Sequence, residues 1–161
     1  MSHRQRILVI ILLLQILNLS QAFVCPDNRQ CYCFEELIGE HRVGCSTRNA
    51  TTRAFDVQIQ SHEKIIVECT NSPDWTDFML GSALDIGNIR TVVFSSCTPP
   101  GKDNAKKVAQ LLGVKNVERL KFNVLNGTLS KEDLSAYRDV KYLHLADNDL
   151  SNIKSDLFHG K

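Results

Sequence analysis

The chain has 161 residues, a formal net charge of +1 at pH 7, and hydrophobic and charged fractions of 43% and 23%. This composition is typical of a soluble globular protein, and the length allows one ordinary domain. No basic stretch is long enough for an electrostatic nucleic-acid footprint, so we expect no nucleic-acid partner.

Residues 1–22 have the layout of a secretory signal peptide. Arg4 and Arg6 precede an apolar run over residues 7–17, and the small residues Ser20 and Ala22, on either side of Gln21, predict cleavage before Phe23. The alternative, a membrane anchor, fits less well, because a helix over that run spans about 16 Å of a hydrocarbon core of about 30 Å. We therefore expect a protein of the secretory pathway, extracellular, with no membrane span within this chain.

Six cysteines follow the expected cleavage site: Cys25, Cys31, Cys33, Cys45, Cys69 and Cys97. An even number of cysteines in an exported chain predicts three disulfides, although sequence alone leaves their pairing open. Zinc is the weaker interpretation, because the chain has neither a Cys-x-x-Cys pair nor a His-x3–5-His partner. We expect no metal and assign residues 23–69 to a cysteine-rich N-terminal cap.

A self-similar pattern occupies residues 70–161, which we assign to leucine-rich repeats cut off at the end of the chain. Its clearest copy runs from Val140 through Leu143 and Leu145 to Asn148. Earlier copies, at intervals of roughly 23 to 28 residues, have their apolar pairs at Leu120 and Phe122 and at Val92 and Phe94, and Ile65 and Val67 suggest one more strand. A generic α/β domain with fortuitous spacing is the alternative, and three copies in register argue against it.

The repeat pattern predicts a short strand and a bend in each copy. Because side chains alternate along a strand, Leu143 and Leu145 point to the solenoid core and the residues between them point to a concave surface. Asn148 leaves the strand at the bend, where its side chain can bond unpaired backbone groups. In the earlier copies Leu125 and Cys97 occupy this position.

The segments that return between strands are predicted to be helical or part-helical. Ser130 is expected to begin one of them, with Asp133 resembling a capping box and with Leu134 and Tyr137 facing the core. The other has apolar residues at helical spacing and a glycine as its stop: Ala105, Val108, Leu111, Leu112 and Gly113. The predicted fold class is α/β: the start of a leucine-rich repeat solenoid with a disulfide-rich N-terminal cap, preceded by a signal peptide.

The cysteine layout resembles a known family. Cys25-x5-Cys31-x-Cys33, followed by Cys45, is similar to the flank that precedes many extracellular leucine-rich repeats. The stretches Ile-Ile-Val-Glu-Cys-Thr-Asn at 65–71, Ile-Arg-Thr-Val-Val-Phe-Ser-Ser-Cys-Thr-Pro-Pro-Gly at 89–101 and Leu-Leu-Gly-Val at 111–114 resemble the N-terminal region of insect Toll receptors. The resemblance covers residues 23–161.

This resemblance implies an N-terminal ectodomain fragment of a Toll-type innate-immune receptor. Such receptors bind a dimeric cystine-knot cytokine, Spätzle, near the N-terminal concave face, and ligand brings two receptors together. It thus implies a receptor homodimer in the full-length form and a type I plasma-membrane location if the chain continues to a span. The alternatives are a secreted leucine-rich repeat binding protein or decoy without signalling, and a matrix structural protein. Because Lys161 falls within a repeat, whose apolar edge would be exposed, we expect an incomplete sequence rather than a natural truncation.

The resemblance also implies the disulfide pairing Cys25–Cys33 and Cys31–Cys45, which leaves Cys69–Cys97. The last pair has independent support, because both cysteines follow apolar strands on neighbouring coils and adjacent strands lie about 4.8 Å apart. Asn49 and Asn126 begin sequons for N-glycosylation.

No catalytic motif is present, and we expect neither an enzyme nor a cofactor. His62-Glu63 could begin a zinc-protease motif, but Ile66 stands where the second histidine would fall. Repeat solenoids bind through broad concave surfaces, so we expect an extracellular protein ligand. The candidate ligand-binding residues are the outward positions of the last two strands: Arg119, Lys121, Asn123, Tyr142 and His144. Thr91, Val93, Ser95 and Ala146 are further outward positions.

Overall fold

The computed structural model describes residues 25, 31–37, 40–46, 53–60, 63–78, 80, 83–84, 88–137, 139–149, 151 and 153–157. The signal peptide expected over residues 1–22 and the sequon at Asn49 lie outside the described residues.

In the described part of the chain, strands form a single seven-stranded sheet in chain order. The strands are β1 (Cys31–Leu37), β2 (Glu40–Ser46), β3 (Arg53–Gln60), β4 (Lys64–Cys69), β5 (Thr91–Ser95), β6 (Arg119–Asn123) and β7 (Tyr142–His144). A short 3-10 helix (Trp75–Asp77) follows β4, and helix α1 (Gly101–Leu111) follows β5.

The sheet changes direction at β4. Strands β1 to β4 pair antiparallel, whereas β4 to β7 pair parallel. Parallel neighbours need a long crossover, and the connections after β4, β5 and β6 are long enough to supply it. The predicted repeat strands are in register, with Ile65, Val92, Leu120 and Leu143 side by side. The structure therefore confirms the predicted leucine-rich repeat architecture.

The core lies on one face of the sheet, as the period of two predicts. Val92, Phe94, Leu120 and Phe122 are buried, and Leu143 and Leu145 pack against the same cluster while remaining half-buried. Aromatic rings run through this core from one coil to the next, with centroid separations of 5.1 Å for Phe55–Trp75, 5.8 Å for Trp75–Phe94 and 5.3 Å for Phe94–Phe122. Each such contact adds about 0.5–1.5 kcal/mol beyond the burial of its apolar area.

The bends that follow β5, β6 and β7 share one backbone feature. Ser96, Val124 and Asp147 have φ values of 55°, 53° and 60°, and each immediately precedes the position that the repeat pattern reserves for asparagine. At Asn148 the predicted backbone bonds are present: its Oδ1 accepts from the Leu125 N–H at 2.6 Å, and its Nδ2 donates to the Phe122 carbonyl at 2.6 Å. The asparagine therefore links its own bend to the preceding coil.

Helix α1 matches its prediction. Ala105, Val108 and Leu112 are buried, and Gly113 has a φ of 65°, which ends the helix in the left-handed conformation that glycine adopts readily. A residue of the next repeat caps the N-terminus of α1: the Asp133 carboxylate accepts a hydrogen bond from the Gly101 N–H at 2.5 Å.

The second predicted segment, from Ser130 onward, forms consecutive turns rather than an α-helix. Their backbone bonds join residues three apart, as in Asp133 N–H to the Ser130 carbonyl at 3.2 Å. Asp133 Oδ2 accepts from the Ser130 N–H and hydroxyl at 2.8 and 2.7 Å, which is the contact that the predicted capping box implies. Leu134 and Tyr137 are nevertheless buried, as expected.

Three disulfides link the described cysteines: Cys25–Cys33, Cys31–Cys45 and Cys69–Cys97. This is the pairing that the family resemblance implied. Cys69–Cys97 joins the end of β4 to the bend after β5 across a sequence separation of 28. Closing a loop of this length stabilises the fold by roughly 3–4 kcal/mol in the chain-entropy model.

Candidate functional site

The face of the sheet opposite the core is the candidate binding surface, called here the outer face. Strand pairing arranges its side chains in rows that cross β4 to β7. The first row contains Lys64, Thr91, Arg119 and Tyr142; the second contains Ile66, Val93, Lys121 and His144; the third contains Glu68, Ser95 and Asn123. The five candidate residues thus lie together on the last two strands of the outer face.

Arg119 and Tyr142 are cross-strand neighbours in contact with each other. The Arg119 guanidinium carbon lies 5.7 Å from the centroid of the Tyr142 ring, a cation–π distance. Both residues are exposed, and Tyr142 retains 60% of its accessible surface, although burying an aromatic ring of this size is favourable. The stacked pair therefore offers a partner a flat ring and a cation already held against it.

Lys121 and His144 occupy the next row, directly opposite each other. Within the part of the chain that the structure describes, neither side chain has a hydrogen bond or an ion pair. Asn123 is half-buried in the third row, beside Ser95.

Not every outward position is accessible. Val93 was expected on the contact surface, but it retains only 4% of its accessible area between Ile66 and Lys121, so that expectation was wrong. Thr91, Ser95 and Ala146 are half-buried.

The outer face extends over β1 to β3, where sequence reasoning found no site. Arg42 on β2 lies between Glu36 and Asp56, with N–O distances of 2.6 and 3.0 Å, and its guanidinium carbon lies 5.9 Å from the Phe34 ring centroid. The hydrogen bond with Glu36 raises the pKa of Arg42; burial opposes this rise, and the charge of Asp56 adds to it. Phe34 also stacks on Tyr32 at 5.9 Å. The sequence signal for this part of the outer face is the alternation Cys-Tyr-Cys-Phe at 31–34, which places both cysteines inward and both aromatic rings outward.

Asn126, the sequon asparagine within the described residues, is exposed on the bend after β6. Its Nδ2 donates to the Ser96 carbonyl at 2.9 Å. An asparagine amide has two N–H donors, so one can remain in this bond when a glycan replaces the other.

Among the residues that the structure describes, no group of histidine, cysteine or acidic side chains could hold a metal ion. The helices within the same residues are too short or too polar to cross a membrane. The three disulfides are typical of secretory-pathway and extracellular proteins.

Parallel strands in register, an asparagine bonded to the preceding coil and disulfide-linked first strands define a leucine-rich repeat fold with a disulfide-rich cap. No family model matches the chain, and no curated protein matches it. Solved structures, however, do match the chain. A structure of the Toll–Spätzle complex, described as a molecular hub in Drosophila development and innate immunity, has a TM-score of 0.63 and 21% identity over 80% of this chain and 17% of that chain. Its glycosylated form has a TM-score of 0.67 and 23% identity over 84% of this chain and 18% of that chain.

The chain therefore has the fold of a Toll ectodomain segment. It spans less than a fifth of the length of either of these matched chains.

Proposed function

We propose that this chain is the N-terminal ectodomain part of a Toll-type innate-immune receptor and binds a cystine-knot cytokine through the outer face. The observation that carries the proposal is the likeness to the Toll–Spätzle structures over 80% of the chain, together with the cysteine layout that resembles the Toll N-terminal flank. In the full-length receptor, ligand would join two such ectodomains into a dimer.

The geometry of β6 and β7 supports the binding surface. Arginine and tyrosine are enriched among residues that dominate binding energy, and Arg119 and Tyr142 are exposed, adjacent and already stacked. Tyr142 has few rotatable bonds to immobilise, so a partner that covers it gains apolar contact at a small entropic cost. Lys121 and His144 supply polar groups beside this pair.

Binding of the secreted full chain to an immobilised, processed cystine-knot cytokine dimer tests the proposal. We expect wild-type binding and a loss of at least tenfold in affinity for the double variant Arg119→Glu, Lys121→Glu. Lys106→Glu is the matched control, because Lys106 is an exposed residue of α1, away from the outer face. Absence of wild-type binding would contradict the proposed function. Equal binding by the double variant would show that Arg119 and Lys121 of β6 do not belong to the binding surface.

Secretion and processing complete the proposal. Residues 1–22 would be removed as a signal peptide, residues 23–69 would form the cap and residues 70–161 the repeats, with glycans at Asn49 and Asn126. Expression in insect cells should yield a secreted product whose first residue is Phe23. Its mass should fall after glycosidase treatment, in smaller steps for Asn49→Gln and Asn126→Gln. A product retained in the cells, or one beginning at Met1, would contradict this part.

A further inference from the structure

The outer face is divided by charge. On β2 to β4 its acidic residues are Glu40, Asp56 and Glu68, while the cations there already have partners: Arg42 binds Glu36 and Asp56, and Lys64 donates to Gln60 at 3.0 Å. On β6 and β7 the basic residues are Arg119, Lys121 and His144, and no outward position on either strand carries an acid. Acidic residues thus outnumber cations at one end of the face, whereas the other end carries basic residues without an acid.

Arg119, Lys121, Tyr142 and His144 are called here the basic cluster. Neighbouring strands lie about 4.8 Å apart and alternate residues about 6.8 Å apart along a strand, so the four side chains rise from the corners of a small rectangle. Within the described residues, neither Arg119 nor Lys121 forms an ion pair; the nearest one along the sheet, Lys141 with Glu118 at 3.3 Å, precedes the strands. No ion pair among the described residues therefore neutralises the positive charge of Arg119 or Lys121.

The contact with Tyr142 determines which hydrogen-bond donors Arg119 can offer to a ligand. A guanidinium stacked on a ring keeps its N–H donors around its edge, and these donors match the two oxygens of a carboxylate. Lys121, two residues along the same strand, adds a second positive group at the spacing of alternate strand positions. The cluster is thus complementary to two acidic groups separated by the same distance.

We infer that the basic cluster binds an acidic protein segment in extended conformation, with carboxylates at alternate positions. This inference rests on the proposed function, because the segment would belong to the proposed cytokine partner. The acidic end of the outer face disfavours the reverse placement, since a carboxylate over Glu68 would meet like charge. Charge therefore selects one orientation of the partner along the sheet.

The first test is the salt dependence of association between the full chain and the cystine-knot cytokine. Steering by opposite charges makes the association rate fall as ionic strength rises. We expect Arg119→Gln with Lys121→Gln to slow association at low salt about tenfold and to flatten its salt dependence. Arg119→Lys with wild-type Lys121 should retain the slope, and Lys106→Gln should have no effect. An unchanged slope in the double glutamine variant would overturn the inference while leaving the proposed function standing.

The second test does not need the cytokine. An acetylated peptide of alternating threonine and glutamate is titrated into the isotope-labelled full chain, with a threonine–lysine peptide as control. Shifts of the β6 and β7 amides by the glutamate peptide alone support the inference, even if the cytokine does not bind and the proposed function fails. Shifts with a heparin oligosaccharide but not with the glutamate peptide would instead identify a sulfated polysaccharide as the ligand and overturn it. No shift with any probe would overturn it as well.

Discussion

Asn148 is bonded to Leu125 across one coil of the solenoid, with 2.6 Å between the asparagine Oδ1 and the leucine backbone nitrogen. The same amide donates to the carbonyls of Phe122 and Ala146 at 2.6 and 2.9 Å. One side chain therefore satisfies three backbone groups at two successive bends, and it is the only member of an asparagine ladder that these repeats contain in the described residues.

Asn148→Ala should lower the free energy of unfolding by about 2–3 kcal/mol, because it leaves three partly buried backbone groups without their partner. Denaturant titration followed by the fluorescence of Trp75, the single tryptophan, measures this. Asn123→Ala is the control, since Asn123 lies on the outer face, and it should change stability by less than about 0.5 kcal/mol. Equal effects of the two variants would show that the cross-coil bonds do not contribute.

Val124 is a β-branched residue with a φ of 53° and half of its surface exposed. Left-handed backbone costs an L-residue about 1–2 kcal/mol, and asparagine and aspartate tolerate it best, as Asp147 does in the next repeat. Val124→Asn should therefore raise the free energy of unfolding by about 0.5–1.5 kcal/mol. Val124→Ile, which keeps the branching, should give no gain. If asparagine destabilises the chain, the bend is not limited by backbone strain.

Gly113 and Gly101 allow a matched comparison, because both have positive φ values, 65° and 72°. A methyl group at Gly101 would meet nothing within 4 Å, whereas one at Gly113 would overlap the carbonyl oxygen of Leu84. That segment also bonds the end of α1, through the Leu84 N–H to the Leu111 carbonyl at 2.8 Å. Gly101→Ala should cost about 1 kcal/mol and Gly113→Ala at least about 2–3 kcal/mol in thermal or denaturant unfolding. Similar losses would mean that the segment at Leu84 moves aside.

Tyr137 is buried, and within the described residues its hydroxyl has no hydrogen-bond partner. Burial raises the pKa of Tyr137 above its ordinary value of 10.0, and the charge of Asp133 raises it further. The folded protein therefore keeps this proton at a pH where the unfolded chain loses it, so stability should decline above about pH 10.

Tyr137→Phe should remove that part of the alkaline decline. At pH 7 it should be neutral or stabilising by up to about 1 kcal/mol, because an unpaired buried hydroxyl is lost. Unfolding curves from pH 8 to 11, with no free thiol present, measure both effects. A variant that is markedly less stable at pH 7 would reveal a hydrogen bond to this hydroxyl.

The parallel part of the fold could be predicted because its information is local. Leu120 and Phe122 alternate with polar residues and must share a face, and the recurrence of such apolar pairs, as at Val92 and Phe94, indicates the repeat. The antiparallel strands β1 to β3 were not predicted, although Phe55, Val57 and Ile59 alternate in the same way. No repeat marks them, and pairing between strands of a meander depends on contacts that a single segment does not encode.

The sequence predicted which residues of the candidate binding surface point outward, but not their contacts with one another or their burial. Alternation alone places Arg119 and Tyr142 outward, whereas their contact requires the register of β6 against β7. The burial of Val93 and the ion pairs of Arg42 depend on neighbouring strands far away in sequence, which periodicity does not report. The bond between Ser130 and Asp133 follows from their spacing in the sequence, whereas the bond from Gly101 of the preceding coil to Asp133 depends on the packing of two coils.

Strand β4 belongs to both halves of the molecule, since it closes the antiparallel meander on one edge and begins the parallel coils on the other. The antiparallel strands and the parallel coils consequently meet along a hydrogen-bonded seam within one sheet. A molecule that contacts Phe34 at one end and Tyr142 at the other would therefore meet a continuous surface. Cutting the chain at β4 would separate the two ends of that surface even if every contacting side chain were preserved.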